Sequence, residues 1–161
     1  EDRLCPWLPL GFPAAAPAEA LRPRMAKLKL DMEPDPHVTV IGISCHVNDY
    51  RLCWSINRST GLELTRRRSD ITDLAHGVTA SFSVYDHVDE RTQARCTLVN
   101  NHSGDGILLK EQRQADYFLV VDNEFAERAP DLFDRVRTAE FVLTAFQLPY
   151  EQLRAGHKLL L

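Results

Sequence analysis

Long apolar runs are missing from this chain. The longest, over 38–43 and 117–121, are of strand length and far short of the roughly eighteen residues that a membrane helix requires. Cysteine is sparse and unpaired in sequence: Cys5, Cys45, Cys53 and Cys96 form no C-x-x-C motif, which removes the usual signature of a zinc ribbon or a dithiol redox site. Positive charge is not in surplus either. With 19 Lys plus Arg against 23 Asp plus Glu the net charge is −4, which counts against a dedicated nucleic-acid domain. No G-x-S-x-G elbow and no GKS or GKT phosphate loop occurs, so neither an α/β-hydrolase nucleophile nor a P-loop is expected, and no cofactor is indicated. Gly104 and Gly106 read as turn residues rather than as a phosphate cradle.

What is present fits one globular α+β domain. The 161 residues are 44% hydrophobic and 26% charged, values of an ordinary folded chain rather than a disordered or disulfide-stapled one. The first 24 residues differ from the rest. They hold Pro6, Pro9, Pro13, Pro17 and Pro23, five of the nine prolines, and a proline every few residues denies the donors that helices and central strands need. Residues 1–24 are therefore expected to be a disordered Pro/Ala-rich extension, with Met25 as the natural start and 25–161 as the domain. A signal peptide is the rival reading, although the basic start and continuous apolar centre are lacking.

Polar and apolar residues alternate over 26–31, as in a half-buried strand. Pro34 and Pro36 force a turn, and residues 38–43, β-branched and apolar on both faces, read as a central strand. A helix follows, capped by Asn48 or Asp49 and ended by Gly61; the three- and four-residue spacing of Val40, Ile43, Val47, Tyr50 and Trp54 keeps one long helix over 38–60 as an alternative. Residues 62–65 suggest a short strand and 66–77 a polar loop. Clean alternation over 80–88 and 92–99 predicts a hairpin, with Phe82, Val84 and Asp86 on one face and Ser81, Ser83, Tyr85 and His87 on the other. A turn cluster over 100–106, a strand over 116–121, a helix over 130–138, a strand over 141–148 and a short terminal helix complete the chain. The expected architecture is a largely antiparallel sheet with two principal helices, in a ferredoxin-like order.

Two stretches resemble a known family. Ile41-Gly42-Ile43-Ser44 leading into Asp49-Tyr50-Arg51-Leu52-Cys53-Trp54-Ser55-Ile56-Asn57, together with residues 109–119, is similar to the bacterial IPExxxVDY family, which takes its name from the second motif. Glu111, Asp116 and Tyr117 match that pattern, whereas Leu109, Lys110 and Ala115 replace its Ile, Pro and Val. Residues 142–146 resemble the family's late strand, so the likeness spans 25–161. It implies a name and a shared fold but no activity, ligand or catalytic residue.

The residues that the resemblance picks out are Tyr50, Arg51, Trp54, Asn57, Glu111, Asp116 and Tyr117. Structurally, Arg51 would pair with Glu111 or Asp116 and fix helix to sheet, with Trp54 and Tyr117 as core aromatics. Functionally, the same groups would line a groove for a peptide or small anionic ligand, with Arg51 as anchor. Arg58 with Arg66, Arg67 and Arg68 is the one basic cluster; it would serve an RNA-associated module, or else pair with Asp70 and Asp73. His87, Asp89 and Glu111 are the only candidates for acid–base chemistry, with a solvated hairpin end as the alternative. A zinc site from His37, Cys45, His46 and Cys53 lacks ligand spacing, and Cys53 and Cys96 read as small core hydrophobes. The reading carried forward is a small cytoplasmic protein, a binding, adaptor or regulatory module without catalysis, acting on a protein partner or as a homodimer. Nucleic acid is disfavoured by the charge, and no membrane contact is expected.

Overall fold

The computed structural model describes residues 36–161; the expected extension over 1–24 and the strand over 26–31 lie outside them. The chain runs through β1 (Val38–Cys45), α1 (Asp49–Thr60), β2 (Thr65–Arg66), β3 (Ile71–Ala75), β4 (Val78–Phe82), β5 (Val84–Val88), β6 (Arg95–Asn100), β7 (His102–Ser103), β8 (Gly106–Ile107), β9 (Tyr117–Asp122), α2 (Asn123–Arg128), α3 (Leu132–Arg137) and β10 (Val142–Leu148), with 3₁₀ turns over 110–112, 150–152 and 156–160. No helix among the described residues is long and apolar enough to cross a membrane.

The fold is α+β around one antiparallel sheet of order β10-β1-β9-β6-β5-β2. β9 and β10 both pair antiparallel with β1, so they run parallel to each other with β1 between them and α2 and α3 in the crossover. In the same way β1 and β6 flank β9. The four strands β10-β1-β9-β6 thus follow the ferredoxin-like order of interleaved split units, with β2 to β5 inserted after α1. The expected helix over 130–138 forms as α3, and α2, not anticipated from the sequence, precedes it, with Pro130 in the break between the two.

Both faces of the sheet are covered, which explains why β1 and β9 are apolar on both sides. Ile41, Ile43, Tyr117, Leu119 and Val121 pack beneath Leu52, Cys53 and Ile56 of α1 and Leu132 and Val136 of α3. Val40, Phe118 and Val120 on the opposite face meet Phe82 of β4, Leu108, Leu109 and the C-terminal Leu153 and Leu159. Strand then helix is what forms over 38–60, and the single long helix is excluded. Asn48 is the residue before α1 and Gly61 ends it at φ 77°, its N–H bonded to the carbonyl of Asn57, the left-handed conformation that glycine adopts without a Cβ penalty. Gly42 has a different necessity. A Cβ there would lie 2.6 Å from the ring of Phe146 on β10, so the missing side chain is the space that ring occupies.

Two expectations are corrected. Residues 66–77 are no mere loop, because β3 pairs with β4 across a two-residue turn in which His76 (φ 53°) and Gly77 (φ 77°) are both left-handed; this is the hairpin turn whose twist suits the flanking strands. The strand over 80–88 is broken at Ser83, β4 belonging to the small hairpin and β5 to the main sheet. Its alternation nevertheless holds, with Phe82 and Val84 in one cluster and Tyr85 in the other.

Asn101 organises the segment before β9. It is 0% exposed, and every polar group it has is used. Its backbone N–H donates to the carbonyl of Asp116 and its carbonyl accepts from the N–H of Leu108. The amide Nδ2 donates to the carbonyls of Gln112 (3.0 Å) and Ala115 (2.8 Å), and Oδ1 accepts from the N–H of Leu109 (2.7 Å). The substitution Asn101→Ala would strand the carbonyl of Ala115 and the N–H of Leu109, while the carbonyl of Gln112 keeps the N–H of Ala115, and we expect it to lower unfolding free energy by about 2–4 kcal/mol in urea titrations. A loss below about 1 kcal/mol would show that water replaces the amide.

Candidate functional site

The start of β9 meets the turn between β1 and α1 at the end of the sheet. Asp116 donates its N–H to the carbonyl of Ile43, and its Oδ2 accepts the N–H of Cys45 at 2.9 Å. The hydroxyl of Tyr117 donates to the carbonyl of Val47 at 3.2 Å. The two stretches picked out in the sequence are therefore bonded to each other, through the backbone of 43–47 rather than through Arg51. The expected pairing of Arg51 with Glu111 or Asp116 does not form: Asp116 faces His102 at 3.7 Å, Glu111 accepts the N–H of Ala155 at 3.2 Å, and Arg51 is exposed with no ion pair among the described residues.

A polar cleft of about 450 Å³ opens here, walled by His46, Asp49 and Tyr50 on one side and by Asn100, His102, Asp116 and Tyr117 on the other. Tyr50, Asp116 and Tyr117 thus come together. Arg51, Trp54, Asn57 and Glu111 do not line it. His46, Asn100 and His102 were not legible as lining; the turn signal of 100–106 located the last two without showing what they face. Burial first, then the neighbouring Cys45, Asp49 and Asp116, push the phenol of Tyr117 above its ordinary range, which keeps it a neutral donor to Val47.

The chain matches no family model, and neither a curated protein nor a solved structure matches it. The residues themselves must carry the functional argument.

On α1 the expected orientation is reversed for one aromatic. Trp54 is not a core residue: it is 52% exposed and Tyr50 59% exposed, while Leu52, Cys53, Ser55 and Ile56 are buried. Ser55 can be buried because its Oγ donates to the carbonyl of Glu140, which ties α1 to the segment before β10. Asn57 is structural, its amide accepting the N–H of Leu64 at 2.9 Å and donating to the same residue's carbonyl at 3.1 Å. Arg58 lies over the Trp54 ring, 5.3 Å from its centroid, a cation–π contact at the surface.

The arginine cluster is largely committed. Arg66 pairs with Asp70, as the sequence suggested, and with Asp49 at 3.5 Å, and it covers the ring of Tyr85. Arg67 makes a two-bond pair with Asp86 at 2.6 and 2.9 Å and also donates to the carbonyl of Leu161. Asp73 takes Lys158 instead of an arginine. Arg68 is exposed.

His87, Asp89 and Glu111 do not assemble. The ring of His87 accepts the N–H of Glu63 at 3.2 Å and meets Phe125 edge-on, on the helix-covered face. Glu111 bonds to Ala155, which packs against the opposite cluster. Asp89 caps the β5–β6 turn, and bonds from Thr92, Arg91 and Arg128 hold its carboxyl below the usual range.

Cys53 and Cys96 are core residues, 5% and 0% exposed. Burial, with Asp49 adding to it, pushes the Cys53 thiol up to about 11. Burial, with Asp122 and Asp89 adding, pushes Cys96 up to about 12. No group of histidines, cysteines and carboxylates among the described residues is arranged to hold a metal ion, and Cys45 donates its thiol to the carbonyl of Val47.

The unfolded chain releases such thiol protons near the ordinary value of 9.0, whereas the folded chain holds them to higher pH. Stability is therefore expected to fall as pH rises from 9.0 towards about 12, by up to about 1.4 kcal/mol per pH unit for each thiol. The substitution Cys96→Ala should flatten that alkaline slope in urea titrations, and an unchanged slope would remove Cys96 as a contributor.

Proposed function

We propose that this chain is a non-catalytic binding or adaptor protein of a reducing, cytoplasmic compartment, and that it meets its partner through the outward face of α1. The observation that carries the reading is the exposure of Trp54 and Tyr50 on a helix whose other side is packed in the core. Each ring, about half covered, forgoes part of the roughly 1.5–3 kcal/mol that full burial contributes. Such residues recur where a second molecule completes the burial, and Trp, Tyr and Arg are the side chains that dominate interface energetics. Here Arg51 and Arg58 flank them and are free of ion pairs among the described residues, in a chain of net charge −4. That local excess of positive charge favours an anionic protein surface as partner. The buried thiols Cys45, Cys53 and Cys96, all unpaired, fit a reducing compartment.

We also infer that the chain is a divergent bacterial member of the IPExxxVDY family. The bonds from Asp116 and Tyr117 to the β1–α1 turn support this, because they join the two stretches in which the likeness lies. Leu109 and Ala115, in place of the motif's Ile and Val, are fully buried apolar residues, so the substitutions preserve the character of those positions.

Affinity purification from the native host, with the wild type beside a Trp54→Ser/Arg58→Ser double variant, tests the surface. Both positions face solvent, so folding stability should change by less than about 0.5 kcal/mol per site, while recovery of the wild-type partner should fall at least about tenfold, or 1.4 kcal/mol. Unchanged recovery would place binding elsewhere. Loss of the captured material on nuclease treatment would replace the protein partner by RNA.

A further inference from the structure

β10 is the outer strand of the sheet, and β1 is its only partner among the described residues. Which backbone groups it leaves unused follows from the ladder. Asn123 donates its N–H to the carbonyl of His37, so the alternation of an antiparallel strand turns the N–H and C=O groups of Thr39, Ile41 and Ile43 towards β9 and those of Val40, Gly42 and Ser44 towards β10. The residues opposite the latter are Leu148, Phe146 and Thr144. Ala145 and Gln147 are left with both backbone groups pointing away from the sheet.

Exposed edges are ordinarily blunted by charge, by proline or by a covering segment. β10 reads Val-Leu-Thr-Ala-Phe-Gln-Leu, with neither a charge nor a proline. The opposite edge is different: Arg66 lies on β2, and the neighbouring Arg67 pairs with Asp86 of β5. The absence of charge selects the occupant. Across a two-fold axis a residue near the axis meets its own kind, so any charge there would face its like and oppose pairing. A strand with none meets that requirement.

We infer that β10 pairs antiparallel with β10 of a second copy of this chain, joining two six-stranded sheets into one across a two-fold axis at Phe146. In that register Ala145 of one copy lies opposite Gln147 of the other, and each such pair exchanges both its N–H···O bonds. The ladder has natural ends. Pro149 has no N–H to give, and the register shift between Ser44 and Cys45 leaves Leu143 without a partner, 58% exposed. This surface is distinct from the α1 face, so the dimer stands or falls independently of the partner proposed above.

The test is sedimentation equilibrium of the full chain over a concentration range from about 1 µM to about 500 µM, beside Gln147→Pro and Gln147→Lys. The first removes an outward N–H that β1 does not use, a position at which an edge strand tolerates proline; the second sets a positive charge on each side of the axis. Wild type should pass from monomer to dimer, and both variants should raise the dissociation constant at least about tenfold with unchanged circular dichroism. Should Gln147→Pro unfold the chain, Gln147→Lys alone decides. Amide exchange supplies the second readout, slow at Ala145 in the wild-type dimer and fast in the variants. A wild type that stays monomeric across the range overturns the proposal, as does a dimer indifferent to both substitutions. A monomer whose Ala145 amide is nonetheless slow to exchange also overturns it, by assigning the edge to another part of the same chain.

Discussion

The buried amide of Asn101 is the constraint on which the site depends. An amide in a dry interior is tolerated only when its donors and acceptor are met, and here all of them are met by one short stretch, Leu109 to Ala115. The stretch has little regular structure of its own beyond a 3₁₀ turn, and Asn101 supplies the bonds that a helix or strand would otherwise make. Because the carbonyl of Asp116 is held by the backbone of the same asparagine, the start of β9 is fixed along its length. Asp116 and Tyr117 can then reach the turn between β1 and α1. The chain of positions runs from Asn101 through the loop to β9, and from there to the entry of the helix that carries Tyr50 and Trp54.

Much of this architecture was legible in the residues, for reasons that can be named. β1 was readable because it is apolar on both faces, as a strand covered by helices on one side and a hairpin on the other must be. The ends of α1 were readable from Asn48 and Gly61, although the Asn48 side chain makes no capping bond. β3 was not, because its inward set of Ile71, Asp73 and Ala75 contains a carboxylate that Lys158 neutralises from 85 residues away, and because its turn uses His76 where Asn is the familiar signal. The orientation of α1 was misread for Trp54. Its wheel holds two plausible apolar stripes, and a hydrogen bond from Ser55 to Glu140, invisible to any hydropathy count, helps the narrower residues face inward. The partners of Asp116 and Tyr117 were hidden for a related reason: they are backbone groups, and backbone groups leave no mark in a sequence.

The distribution of charge separates scaffold from surface. Asp86, Asp70, Asp89 and Asp73 each hold a basic residue within a salt-bridge distance, and such pairs at the surface contribute only about 0–1 kcal/mol apiece. Stability rests on the two apolar clusters instead, where a single buried aromatic or aliphatic side chain is worth about 1.5–3 kcal/mol. The ion pairs therefore matter less as fasteners than as neutralisers. They neutralise Arg66, Arg67, Arg128 and Lys158 and leave the cationic character of α1 concentrated around its two exposed rings.

The place of β1 in the sheet has a consequence for how the molecule comes into being. It is the first described strand along the chain, yet both its neighbours, β9 and β10, begin at residues 117 and 142. During synthesis one edge of β1 must wait for β9 and the other for β10, about seventy and about a hundred residues further along the chain. Topologies dominated by such distant pairings fold slowly, and an unpaired apolar strand is what attracts other unfinished chains. In a nascent copy of this protein the apolar strand β1 is thus left unpaired, and open to association with other unfinished chains, in the interval between emergence of β1 and emergence of β9.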